Sequence, residues 1–178
     1  MLRSVCVTLL LALPASTLHA QNSATSPDQA VGTSRTLWQQ LSGFVTEAAQ
    51  DMPENKYGYR PTKDVRTFGE LIAHVAGSQY SFCATALGDS ARAEDDIEKQ
   101  KKTSKAELVA AMKASNDYCA RAYQQTDEAS AGKVKMFGQD RTRLYALMIN
   151  ATHDAEHYGN IITYLRLNGM VPPSSKRQ

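Results

Sequence analysis

The sequence predicts an all-α fold, a four-helix bundle. Three observations predict it. Apolar residues recur at i, i+3, i+4 and i+7 over separate stretches of the chain, the spacing of one helix face. Two of those stretches open on a capping box, in which a hydroxyl residue and a glutamate three positions later exchange hydrogen bonds. No alternation of apolar and polar residues of any length competes for a strand.

In the first helix Leu37, Trp38, Leu41, Phe44, Val45 and Ala48 form the apolar stripe, and Met52 followed by Pro53 ends it. Residues 53–67, with Tyr57, Gly58, Tyr59, Arg60 and Pro61, read as an ordered loop. The second helix opens at Thr67 with Glu70, continues through Leu71, Ile72, Val75, Phe82 and Ala86, and stops at Gly88. A charged connection, 89–103, follows. The third helix opens at Ser104 with Glu107 and runs through Leu108, Met112, Tyr118, Cys119 and Ala122. The fourth spans 140–167, with the stripe Leu144, Leu147, Met148, Ala151, Ala155, Tyr158, Ile162 and Leu165. Asn168 and Gly169 cap it, and Pro172 and Pro173 forbid continuation.

The amino terminus reads as a targeting segment. Arg3 is followed by an apolar run from Ser4 to Pro14, and Leu18, His19 and Ala20 resemble a signal-peptidase site. The run is shorter than the roughly 20 residues of a spanning helix. Residues 1–20 are therefore assigned to a signal peptide, 21–32 to a flexible linker and 33–178 to one domain. The protein is expected to be periplasmic or secreted, with no membrane span after processing. Processing removes one of the 20 basic residues and leaves 19 against 18 acids, a net charge of +1. Such a balance, with no basic run, offers no footprint for nucleic acid. Of 3 cysteines, Cys6 leaves with the signal. Cys83 and Cys119 remain, and in an exported protein they permit a disulfide; two buried free thiols are the alternative.

The histidines carry the chemistry. The chain has 4, and His19 lies in the signal segment. His153 and His157 form an H-x-x-x-H pair, whose members share one face of a helix. At 100° per residue that face lies opposite the apolar stripe, beside Ala146, Ile149, Asn160 and Tyr164. It carries little charge, so a second helix is expected against it. His74 on the second helix would complete three nitrogens around one divalent ion and leave a coordination position open.

The residues resemble the DinB/YfiT-like superfamily of metal-binding four-helix bundles. The matching pieces are Tyr59, Arg60 and Pro61; the run from Val65 to Leu71 leading into His74; His153 and His157 with Gly159 and Asn160; and the tail from Tyr164 to Pro173. The likeness covers about 34 to 173. It implies a long crossover between helices two and three, an ion held by His74, His153 and His157, and frequent homodimers. Many members carry Gln where this chain has Asn160. The crossover would let helices two and three run parallel. Cys83 lies sixteen residues after Thr67, and Cys119 lies fifteen after Ser104, so parallel helices put both at one height. Antiparallel helices would separate them by roughly 15 Å, beyond the limit of about 7 Å between bonded Cα atoms.

Zinc is the default ion, and nickel or iron suits the same nitrogens. With three neutral ligands the ion keeps its full charge; it would acidify a bound water or accept a thiolate at the open position. Asp154 and Glu156 flank the ligand pair outside any H-E-x-x-H register and are expected to be solvated or salt-bridged. Asn160 and Tyr164 share the histidine face and are candidates for a pocket, with packing as the alternative. The same choice applies to Gln79 and Tyr80. Two functions follow: a metal-dependent hydrolase or transferase acting on a small molecule, or a non-catalytic exported metal-binding protein. Resemblance implies thiol-dependent transferases and isomerases for some members, but their cytosolic thiol cofactors are not expected outside the membrane.

Overall fold

The computed structural model of the protein describes residues 29–176 apart from residues 91 and 103. The elements are α1 (Gln29–Asp51), α2 (Phe68–Leu87), a short α3 (Asp96–Lys99), α4 (Lys105–Ala122), a short α5 (Asp127–Ser130), β1 (Lys133–Met136), β2 (Gln139–Thr142) and α6 (Arg143–Leu167). Helices α1, α2, α4 and α6 make the bundle. α2 lies between α4 and α6, and α1 closes the other side against the same two.

Local chemistry sets the helix ends. Thr67 Oγ1 accepts from the Glu70 amide at 3.2 Å while the Glu70 carboxylate accepts from the Thr67 amide at 2.7 Å, so both halves of the box form. Ser104 caps α4 by accepting from the Glu107 amide at 3.3 Å. Gly88, at φ +78°, ends α2 in the left-handed region. The loop before α2 is ordered by its tyrosines: Tyr57 donates its hydroxyl to the Ala49 carbonyl at 2.5 Å. The carbonyls of Tyr59 and Tyr57 accept from the Phe68 and Gly69 amides, two of the otherwise orphaned donors of the first turn.

Helix directions follow from which residues meet. A Cβ on Gly69, in the first turn of α2, would lie 3.2 Å from Leu108 in the first turn of α4. At the far ends Cys83 and Cys119 are bonded, with Cα atoms 5.3 Å apart. α2 and α4 are therefore parallel. Phe44 stacks on Tyr158 at 5.1 Å, and the groove beside Ala30 and Leu37 is shared with Leu144 and Met148, so α1 and α6 are also parallel. The two pairs oppose each other: Trp38 meets Tyr123, and Phe68 meets Tyr164. The long crossover over α2 makes this order possible.

The core has two apolar halves. One gathers Phe44, Phe68, Ile72, Leu108, Met112 and Ile161; the other gathers Val31, Trp38, Phe82, Tyr123 and Leu147 around the disulfide. Buried polar side chains lie near their junction. Trp38 donates to Gln79 Oε1 at 3.1 Å, Gln79 donates to Asn116 Oδ1 at 3.0 Å, and Asn116 donates to Thr46 at 2.9 Å. Gln79 is thus a structural residue. Tyr80 instead packs its ring 5.2 Å from Tyr118 and beneath the Arg92 guanidinium.

Four sequence expectations need correction. The linker does not extend to 32: residues 29–32 already belong to α1, and the Asp127 carboxylate accepts from the Ala30 and Val31 amides at 3.0 and 2.8 Å. Residues 1–28, including the assigned signal peptide, lie outside the described residues. A two-stranded hairpin precedes α6, which starts at Arg143 rather than 140. Its strands are short and only Met136 is buried, and its turn is Phe137 and Gly138, both at positive φ, so neither alternation nor an Asn-Gly turn announces it. The α6 stripe is shifted: Met148 is 53% exposed, while Ala146, Asn150 and Ile161 are buried. Asp154, expected to be solvated or salt-bridged, is fully buried, and neither carboxylate oxygen has a hydrogen-bond partner among the described residues. Burial alone pushes its carboxyl well above the usual carboxylate range.

Candidate metal centre

The antiparallel seam of α2 and α6 brings the three histidines of the described chain together. His74 lies in the second turn of α2 and faces His153 and His157 on α6, with ring centroids 5.1 and 4.7 Å away. One turn of α6 separates the pair, whose Nε2 atoms are 3.0 Å apart. One nitrogen from each ring lies within 4.8 Å of the others. Nitrogens bound at about 2.1 Å to one tetrahedral ion sit about 3.4 Å from each other, so the spacing suits such an ion after small ring rotations. The cluster holds three potential ligands and no fourth histidine, cysteine or carboxylate among the described residues.

The outer side of each ring differs. His74 Nδ1 is 3.1 Å from Glu98 Oε2, and Glu98 also receives Arg66 Nε at 2.7 Å. His157 Nδ1 is 3.4 Å from the Asn160 side-chain amide. Amide orientation is set by the network; an Nε2 free to ligate requires His157 Nδ1 to carry the proton and the Asn160 oxygen to face it. His153 Nδ1 is buried without a hydrogen-bond partner among the described residues, and the Phe82 ring lies 5.3 Å from the imidazole.

Electrostatics keep the α6 pair neutral. Burial, reinforced by the neighbouring imidazoles and Arg66, pushes His153 down to about 3. Burial and then His74 push His157 down to about 4, against the opposing pull of Glu156 and Glu98. Both rings are therefore lone-pair donors at neutral pH, the state a metal requires.

The same shifts predict acid sensitivity of the metal-free protein. A histidine whose folded pKa lies below its unfolded value of about 6.5 binds more protons when unfolded, so stability is lost as pH falls from about 6.5 towards 4. Asp154 works in the opposite sense, since its raised pKa removes stability as pH rises. The difference between wild type and a His153→Gln variant isolates the ring. Urea midpoints from pH 7 to pH 5 are expected to fall more steeply for wild type than for the variant; parallel slopes would refute the buried neutral histidine.

A cleft of about 440 Å³ opens beside His157. His157 forms part of its wall, with Asn160, Tyr164, Thr163, Arg66 and the loop from Pro61 to Val65. Asn160 and Tyr164 thus both border the space next to His157. Tyr164 also has a structural bond, donating its hydroxyl to the Arg66 carbonyl at 2.6 Å. A larger depression, about 500 Å³, lies between α1 and α6 and includes none of the three histidines. Glu156 is exposed. Sequence reasoning missed Glu98, which sits among several similar carboxylates in the crossover with nothing local to distinguish it.

Residues 37–161 match the DinB superfamily, and the chain belongs to that family. Its fold is shared by a DinB-like protein from Bacillus cereus ATCC 10987, 15% identical over 80% of this chain and 95% of that one, with a TM-score of 0.66. YfiT from Bacillus subtilis, described as a probable metal-dependent hydrolase with an unusual four-helix bundle topology, is 14% identical over 79% of this chain and 89% of that one, with a TM-score of 0.62. A mycothiol-dependent maleylpyruvate isomerase is 16% identical over 74% of this chain and 59% of that one, with a TM-score of 0.61. No curated protein matches significantly. Among the described residues no helix is long and apolar enough to cross a membrane.

Proposed function

We propose that this protein is an exported metal protein in which His74, His153 and His157 hold one divalent ion, zinc by default, for hydrolysis of a small-molecule substrate. The observation that carries this reading is the convergence of three imidazoles, two of them kept neutral by burial, beside a cleft that reaches His157. An ion held by three neutral nitrogens would supply Lewis acidity at an open coordination position. The residues do the rest: the rings orient the site, Asn160 and Tyr164 border the space a substrate would enter, and Phe82 shields His153 from one side.

Transfer to or from a low-molecular-weight thiol uses the same open position. Export weighs against it, because the cytosolic thiol cofactors would be left behind. A non-catalytic metal-binding role predicts a fourth ligand from the protein, and the three-member cluster favours chemistry instead. The deciding experiment is metal analysis of protein purified without chelator or affinity tag, followed by hydrolase and thiol-transferase substrate screens. One equivalent of metal with turnover in the hydrolase screen supports the proposal; no stoichiometric metal rejects it.

Export is tested separately. Mature protein is expected to begin near Gln21 and to appear in the periplasm or medium, read by amino-terminal sequencing. Intact Met1 on soluble cytosolic protein would reject the signal peptide. A homodimer, suggested by the family resemblance, is expected as twice the chain mass in sedimentation.

A further inference from the structure

The crossover between α2 and α4 is more than a connection. Gly77, three residues after His74, marks where it lands on α2: a Cβ there would lie 2.2 Å from the Glu94 carbonyl oxygen. Backbone can approach this closely only over a glycine. The approach seats Ile97 in the core at 6% exposure and turns the next residue, Glu98, towards the histidines. Glu98 Oε2 meets His74 Nδ1 at 3.1 Å. Arg66, immediately before the α2 cap, grips the same carboxylate through Nε at 2.7 Å and Nη2 at 3.3 Å.

We propose that Glu98 is a positioning residue of the metal centre: its carboxylate accepts the Nδ1–H of His74 and so presents the Nε2 lone pair to the ion. The inference rests on the three-histidine reading above. A neutral imidazole has one proton to place, and an ionised carboxylate can only accept. A hydrogen bond across the 3.1 Å contact therefore puts the proton on Nδ1 and leaves Nε2 as the donor atom. An unconstrained histidine prefers the opposite tautomer, which would aim its lone pair away from the cluster. Arg66 offsets the carboxylate charge, so Glu98 acts mainly through orientation. As a plain ion pair, partly exposed at 43% and 20%, Arg66 and Glu98 would contribute little, and the contact with His74 would be incidental.

The test compares mature wild-type protein with Glu98→Ala, Glu98→Gln and Gly77→Ala. The probe is Zn²⁺, titrated against a chromophoric chelator, and the ¹⁵N ring signals of His74 are read in the metal-free proteins. Glu98→Ala is expected to weaken Zn²⁺ binding about 10–100-fold, the usual effect of losing an outer-sphere partner, and to move His74 towards the Nε2–H tautomer. Glu98→Gln keeps an accepting oxygen and is expected to retain the Nδ1–H tautomer and most of the affinity. Gly77→Ala lifts the crossover and is expected to reproduce the Glu98→Ala tautomer shift with Glu98 still present. An affinity of Glu98→Ala within about twofold of wild type, well short of an outer-sphere loss, overturns the proposal, as does an unchanged His74 tautomer. Failure of wild-type protein to bind Zn²⁺ overturns the three-histidine reading itself, a result distinct from either.

Discussion

Replacing His157 with alanine is expected to abolish stoichiometric binding of a divalent ion. His157 is 8% exposed and its Nε2 lies 3.0 Å from that of His153, so its removal leaves two converging rings and an empty third corner. Loss of a direct ligand should exceed the roughly 10–100-fold penalty of losing an outer-sphere partner. Metal per chain after dialysis is therefore expected to fall from one equivalent to near zero. Circular dichroism should show the bundle intact, because the helices are held by the two apolar core clusters rather than by the site. Unchanged metal content in the variant rejects the three-histidine centre.

Removing the bond between Cys83 and Cys119 is expected to have the largest effect on stability. The cysteines are 36 positions apart, and closing a loop of that length restricts the unfolded chain by roughly 4 kcal/mol in the chain-entropy account. For a domain of this size that corresponds to a fall in Tm of roughly 10 °C. Both residues are fully buried, so the double alanine variant is the cleaner comparison, since serine would add buried hydroxyls. Mass spectrometry of alkylated protein should find no free thiol at either position until reductant is added. Two freely alkylated thiols in unfolded, unreduced protein recovered from the periplasm or medium would refute the bond and weaken the proposal of export with it.

The bond also shows how far local pattern reached into the tertiary arrangement. Counting residues from Thr67 and from Ser104 places the two cysteines at one height if their helices run parallel, and they are parallel in the bundle, joined near their carboxyl ends. The same local logic located the ends of α2 at Thr67 and Gly88 and the opening of α4 at Ser104, because each cap acts on groups within four residues. The i, i+4 spacing of His153 and His157 was legible for the same reason: one helix turn brings them together whatever the rest of the chain does.

The sequence by itself determined the four bundle helices, where most of them begin and end, and that the α6 histidines share a face, but not the one-turn helices α3 and α5. These properties depend on side chains a few residues apart. Tertiary structure alone decided what required groups distant in the chain. Residues 29–32 are helical, with Asp127, almost a hundred residues later, accepting from the Ala30 and Val31 amides. Asp154 lies on the same face of α6 as Leu147, Ala151 and Tyr158 and is buried with them; packing alone decided that no partner among the described residues reaches its carboxylate. Glu98 was one carboxylate among many until the crossover settled over Gly77 and placed it on His74. Periodicity reports the faces of one helix; only packing decides which groups from other elements meet those faces.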